Sequence, residues 1–347
     1  MSNFETIAWG DGYIKILDQT KLPNEEVYLE CRDLESVAAA IERLSVRGAP
    51  AIGVAAAMAL AYEVQKTEES GFSVFLKDFN QMCSRLKKTR PTAVNLDWAL
   101  NRMRQKVLDA QNMDIPGIKQ LLKSEAETIL KEDIDSNRLM GLAGQAVLPD
   151  TGTVMTLCNT GALATAGYGT ALGVIRAAIE KDKDIFVVSC ETRPLLQGAR
   201  LTCWELQRDN IPFVLITDSM AGYYMKMKGV DVVVTGADRI AANGDSANKI
   251  GTYSLSILAK EHQVPFYIAA SLSTIDVSAV SGDHIPIEER SAEEITQIRG
   301  CKIAPEGINV WNPSFDVVPA AYISGIITER GILRPPFTES IKKIVTN

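Results

Sequence analysis

Histidine is nearly absent: His262 and His284 are the two in a chain of 347 residues. A Ser-His-Asp triad or a histidine-rich metal site therefore has little raw material, and no metal is expected. The six cysteines (Cys31, Cys83, Cys158, Cys190, Cys203, Cys301) lack CxxC spacing, which suits a reduced cytoplasm better than a disulfide scaffold or a zinc site. An excess of positive charge is missing too. The net charge of -7 argues against broad electrostatic binding to nucleic acid or to anionic membrane. The longest apolar stretch, Ala49 to Tyr62, is a helix length rather than a membrane span. The opening residues Met1-Ser2-Asn3-Phe4-Glu5 do not read as a signal sequence, so a cytoplasmic protein is expected.

What is present is a change of rhythm. Short strands are predicted at 13–17 and 26–31, then helices at 34–44, 50–66, 72–88, 95–111 and 115–147. From Thr153 strand and helix alternate, with apolar runs at 153–157, 185–189, 212–217, 230–235 and 265–270. Continuous apolar runs separated by helices indicate a parallel sheet covered on both faces. The expectation is an α/β protein: residues 1–130 mainly helical with a small sheet, and 131–347 a Rossmann-like catalytic domain. Ligands bind at the carboxyl ends of such strands.

Those ends carry the interesting residues. Cys158-Asn159-Thr160-Gly161 follows Thr153–Leu157, and a helix directly after this loop would favour the thiolate. Asp238 follows Val232-Val233-Val234-Thr235-Gly236-Ala237, where desolvation can keep a carboxyl protonated as a general acid. Asn248-Lys249 is read as opening a helix. Lysine in a first turn is unfavourable for the dipole unless an anion sits there, which points to a phosphate. Arg47-Gly48-Ala49-Pro50 places an arginine and a glycine before another helix start, and Arg90 stands in a break between helices. Each has a plainer reading: a buried thiol, a loop-capping aspartate, solvated surface cations. Gly167-Tyr168-Gly169-Thr170-Ala171-Leu172-Gly173 nearly matches a dinucleotide fingerprint. It is read as small residues packing inside a helix, because the third glycine is displaced and no strand directly precedes it.

Longer strings decide between these readings. Val46-Arg47-Gly48-Ala49-Pro50-Ala51-Ile52-Gly53, Cys158-Asn159-Thr160-Gly161, the run Glu191-Thr192-Arg193-Pro194 to Thr202, and Gly236-Ala237-Asp238-Arg239 resemble the methylthioribose-1-phosphate isomerases. Asn312 to Pro319 and Ile327 to Gly331 extend the resemblance almost to the C-terminus. The same superfamily includes ribose-1,5-bisphosphate isomerases and regulatory subunits of a translation initiation exchange factor, so fold alone does not fix function. Leu157 and Cys190 stand where the family more often has polar residues.

The resemblance implies aldose–ketose isomerisation of a small sugar phosphate, 5-methylthioribose 1-phosphate, in methionine salvage without a cofactor, by a homodimer. It makes Cys158 and Asp238 the catalytic pair. It places Arg47, Gly48, Ala49, Arg90, Gln197, Asn248 and Lys249 at substrate-binding positions. Because the anomeric carbon carries phosphate, an acid must protonate the ring oxygen as the ring opens, a role that suits Asp238. Hydrogen then moves from C2 to C1, either through Cys158 as a base or by a direct hydride shift beside it. Two other readings stay open: an isomerase of ribose 1,5-bisphosphate, which needs a second cationic pocket, and a binding subunit without catalysis.

Overall fold

The fold is that of a computed structural model, which describes residues 4–68 and 71–346. The chain divides into two compact units: residues up to 136 together with 162–169, and residues 137–161 together with those from 170 onward. The expected boundary at 130/131 falls within a continuous helix, Ile115–Gly144.

The first unit opens with an antiparallel sheet of β1 (Ile7–Trp9), β2 (Ile14–Leu17) and β3 (Tyr28–Cys31). Helices α1 (Leu34–Glu42), α2 (Ala49–Glu63), α3 (Phe72–Thr89), α4 (Val94–Asp109) and α5 (Ile115–Gly144) follow. Helix α2 is apolar on every side and is buried from Ala51 to Ala61, as a helix without a polar face must be. Its small side chains let neighbours approach closely: a Cβ on Gly53 would lie 2.7 Å from the Asn95 carbonyl of α4.

In the second unit, β4 (Thr151–Thr156), β5 (Asp184–Cys190), β6 (Phe213–Ile216) and β7 (Val232–Thr235) are joined through α6 (Ala171–Ile179), α7 (Cys203–Arg208) and α8 (Ala221–Lys228). Strands β8 (Arg239–Ala241), β9 (Ser246–Lys249), β10 (Phe266–Ala269) and β11 (Ile275–Asp276) follow, with α9 (Thr252–Glu261) between β9 and β10. After α10 (Glu293–Thr296) come β12 (Gln297–Ile298), β13 (Cys301–Lys302), β14 (Phe315–Val318), β15 (Gly325–Thr328), β16 (Gly331–Leu333) and α11 (Phe337–Thr346).

Among the described residues seven strands form one sheet in the order β16-β15-β10-β7-β4-β5-β6. All neighbours are parallel except the edge pair β15 and β16. Sequence order therefore reverses between β4 and β7. Alternate residues feed two cores: Met155, Val188, Val233, Ile268 and Ile326 face one, and Val154, Val187, Val234, Tyr267 and Ile327 the other. Burial on both faces is why these strands read as unbroken apolar runs. A four-stranded sheet, β11-β8-β9-β14, stands beyond the carboxyl end of β7.

Candidate active site

The chain leaves β4 at Thr156 and reaches Cys158 two residues later, at the reversal of strand order where open α/β sheets leave a crevice. Asp238 follows β7, the other strand at that reversal. The two loops touch: a Cβ on Gly236 would lie 3.0 Å from Thr160 Cγ2. Cys158 is 8% exposed, and Asp238 is half-buried with its amide donating to the Ala247 carbonyl at 2.9 Å.

The helix expected directly after Cys158 begins only at Ala171. Residues 162–169 intervene along the chain, yet the Thr170 and Leu172 amides at the start of α6 reach back to the Thr160 carbonyl at 2.8 and 3.4 Å. Gly167 and Gly169 also lie in this intervening loop rather than inside a helix, with Tyr168 and Gly169 at φ of +73° and +89°. Positive φ is incompatible with the helical reading of that stretch.

Cys158 itself sits at φ +67°, a left-handed conformation uncommon for a side chain that has a Cβ. Its amide donates to Thr192 Oγ1 at 2.8 Å, and its carbonyl accepts from the Thr202 hydroxyl at 2.7 Å. Thr192 is in turn held at φ +66° in the loop after β5. The Thr192 and Arg193 amides donate to the two oxygens of Asp218, at 2.8 and 2.7 Å, tying that loop to the one after β6. Gln197 precedes a π-helical turn, Gly198–Thr202. Gln197 is 4% exposed and its side-chain oxygen has no hydrogen-bond partner. A buried orphan acceptor beside a π-turn fits a ligand-facing position.

Asn248 and Lys249 do not open a helix. They lie on β9, paired with β14, and α9 begins at Thr252 after Gly251 in a left-handed conformation. The anion inferred for that helix start is the protein's own. Asp316 accepts the amides of Gly251 at 2.7 Å and Tyr253 at 2.9 Å. Lys249 Nζ donates to the Ser314 carbonyl at 2.7 Å and lies 4.6 Å from the centre of the Phe315 ring. Asn248 donates to the Thr252 hydroxyl at 3.1 Å.

In the other unit, Gly48 is the N-cap of α2 at φ +98°, Ala49 is its first helical residue and Pro50 follows. A Cβ on Gly48 would lie 2.6 Å from Ala164 Cα, so no other residue fits that approach. Arg47 donates through Nε to Gln19 Oε1 at 3.2 Å, and Gln19 donates to the Leu163 carbonyl at 2.7 Å. Arg90 caps the C-terminus of α3, in the break before α4.

Comparison with known proteins then places the chain. A profile described as the Initiation factor 2 subunit family matches residues 45–335. A methylthioribose-1-phosphate isomerase of Pelotomaculum thermopropionicum is 54% identical over 342 residues, covering 98% of this chain and 94% of that one. One from Desulforamulus reducens is 53% identical over 341 residues, covering 98% and 99%. The chain belongs to the initiation factor 2 subunit family, in its methylthioribose-1-phosphate isomerase branch. Among solved structures, a 5-methylthioribose 1-phosphate isomerase of Pyrococcus horikoshii OT3 matches with a TM-score of 0.93 and 44% identity, covering 99% of this chain and 97% of the other. Translation initiation factor eIF-2B, subunit delta, from A. fulgidus matches with a TM-score of 0.88 and 42% identity, covering 99% and 100%.

For this member of the family, the second unit also contains residues to which the sequence analysis gave no role in the site. Thr192, Thr202 and Glu205 bind the Cys158 loop and are fully buried. No local pattern in the sequence marks Glu205 as buried; its burial is a property of the fold. Cys190, next to the site, is no competing nucleophile. Burial, with Asp218 and Glu191 nearby, pushes its thiol up to about 12. Among the described residues no cluster of His, Cys, Asp or Glu is placed to hold a metal ion.

Proposed function

We propose that this chain interconverts 5-methylthioribose 1-phosphate and 5-methylthioribulose 1-phosphate, an isomerase step of methionine salvage. The observation that carries the reading is full-length identity above one half with isomerases, in a chain whose thiol and carboxylate follow the two strands at the sheet reversal. Asp238 protonates the ring oxygen as the bond to C1 breaks. Hydrogen then passes from C2 to C1 while the C2 hydroxyl gives up its proton. Cys158 is either the base that carries that hydrogen as a proton or the polarisable neighbour of a hydride shift. Arg47, Gly48, Ala49, Arg90, Gln197, Asn248 and Lys249 are read as the substrate-binding set, with the cations taking the phosphate.

The parallel strands run β6-β5-β4-β7-β10-β15, an order that supports a Rossmann-like reading of the large sheet. The chain is read as a cytoplasmic homodimer; the dimer is supported by exposed apolar side chains on two adjacent helices, Met220, Tyr223 and Met227 around α8 and Tyr253 and Ile257 on α9. No described helix is long and apolar enough to cross a membrane.

A second reading, a regulatory subunit without turnover, draws on the 42% identity with an initiation-factor subunit. Incubation with purified 5-methylthioribose 1-phosphate, followed by NMR, separates the two. Ketose signals are expected. Tight binding without ketose would favour the subunit, and turnover of ribose 1,5-bisphosphate alone would redirect the substrate.

A further inference from the structure

Cys158 is clamped at both of its backbone polar groups by threonine hydroxyls from elsewhere in the chain. Thr192 Oγ1 accepts from the Cys158 amide at 2.8 Å and donates to the Cys190 carbonyl at 3.0 Å. Thr202 Oγ1 donates to the Cys158 carbonyl at 2.7 Å. A hydroxyl has a single proton, so these partners fix which way each one points. Asn159 Nδ2 donates to Thr202 Oγ1 at 3.3 Å, leaving the Thr202 proton for Cys158.

The orientation of Asn159 is fixed in its turn. Its Nδ2 also donates to Glu205 Oε1 at 2.7 Å, and an ionised carboxylate only accepts. Glu205 is held through its other oxygen by Arg176 at 2.8 Å, and Arg176 Nε reaches Asp209 at 2.8 Å. Arg176 is 4% exposed, Glu205 is fully buried, and Asn159 is 2% exposed. Gly161 closes the loop against this carboxylate: a Cβ there would overlap both Glu205 oxygens. Each partner in the series Asp209, Arg176, Glu205, Asn159, Thr202 leaves the next one a single way to face.

We propose that Thr192 and Thr202 are positioning residues that hold Cys158 in its left-handed conformation, and that the buried Arg176–Glu205 pair orients the Thr202 arm of this clamp through Asn159. The inference rests on the reading of Cys158 as a reacting group. A left-handed cysteine is not a conformation that the backbone adopts unaided. Its thiol direction therefore depends on groups that never meet substrate. Neither threonine touches the reacting atoms under this scheme; both act through the backbone of Cys158.

Thr192→Val and Thr202→Val keep the shape of the side chain and delete one hydroxyl each. Both should lower kcat about tenfold or more while KM stays within about twofold, because ground-state binding does not use the clamp. The matching serine variants restore the hydroxyl and should recover most of kcat. Asn159→Ala, which breaks the relay while leaving both threonines in place, should give a smaller loss in the same direction. A second readout needs no substrate. Peptide-resolved iodoacetamide labelling should show Cys158 alkylated about fivefold faster in the valine variants, with the buried Cys31 of the first unit unchanged, as the Cys158 loop is released locally. Failure of the unaltered chain to turn over the sugar would remove the functional reading and leave alkylation to decide the clamp. Valine variants with native kcat and native Cys158 labelling would overturn the clamp, as would serine variants as impaired as the valines.

Discussion

The Asp316 carboxylate accepts the Gly251 amide at 2.7 Å, so a residue of β14 caps α9 from across the β9–β14 pair. Burial pushes its carboxyl up to about 6, outweighing the two amides and Lys249, which favour the charged form. A carboxyl raised on folding stabilises the fold below the ordinary aspartate value of about 3.9, and that contribution is lost as pH rises through about 6. For a shift of this size the loss is about 3 kcal/mol. Urea unfolding of the native chain and of Asp316→Asn near pH 4 and near pH 7 isolates the effect as a double difference. The asparagine variant should lack most of that fall. Identical pH dependence in the two proteins would show that Asp316 does not titrate in the fold.

The buried Arg176–Glu205 pair predicts a strong non-additivity. Arg176→Met strands the fully buried Glu205 carboxylate and should cost about 3–5 kcal/mol, while Glu205→Leu leaves Arg176 paired with Asp209 and should cost less. The double variant removes both charged groups of the pair and should recover a substantial part of that loss, although Asp209 then loses its arginine. Denaturant melts of the four proteins give the coupling. Additive losses would mean that the pair contributes no mutual stabilisation.

How much of this was legible in the sequence follows from the range of the interactions. Strands such as 185–189 and 230–235 are apolar on both faces, so composition alone exposed them. Their loops could then be assigned to one edge of a sheet. Asn248 and Lys249 were misplaced because β9 is defined by pairing with β14, far along the chain, while the apolar spacing from Ile250 onward belongs to α9. The segment 162–169 looked like the start of α6 because its small residues carry no local mark of positive φ. Thr192, Thr202 and Glu205 matter through partners 34 to 46 residues away in sequence, and no periodicity records such a contact.

Gly48 offers a test in the first unit. Its φ of +98° and its closeness to the Ala164 backbone leave no room for a methyl group. Gly48→Ala should lower stability by about 1–3 kcal/mol through overpacking and strain. Thermal unfolding checks it, and an unchanged melting temperature would mean that the α2 start can relax freely.

Phosphate anchoring is testable apart from chemistry. Lys249 is held by the Ser314 carbonyl and the Phe315 ring, which fixes where its charge stands. Lys249→Ala and Arg90→Ala should each raise KM about tenfold or more, the cost of a lost charge-assisted contact of about 1.5–3 kcal/mol. Native KM in both variants would place the anion elsewhere.

The sharpest prediction concerns Cys158 and Asp238. Asp238→Asn keeps shape but has no acidic proton for the ring oxygen, so ring opening should fail while substrate still binds. Cys158→Ser replaces a thiol by a group far harder to ionise and less polarisable. Both variants should lose kcat by about 100-fold or more with little change in KM, the pattern of groups used in the transition state. Turnover in heavy water then tests the base route for hydrogen. Deuterium at C1 of the product requires a base that exchanges with solvent, which assigns Cys158 as that base when incorporation disappears in Cys158→Ser. A direct hydride shift carries the C2 hydrogen to C1 and leaves the position unlabelled, as does a thiol shielded from exchange, so incorporation is the decisive outcome. Near-native kcat in either variant would remove that residue from the reaction and move the chemistry to another pair of loops on the same sheet edge.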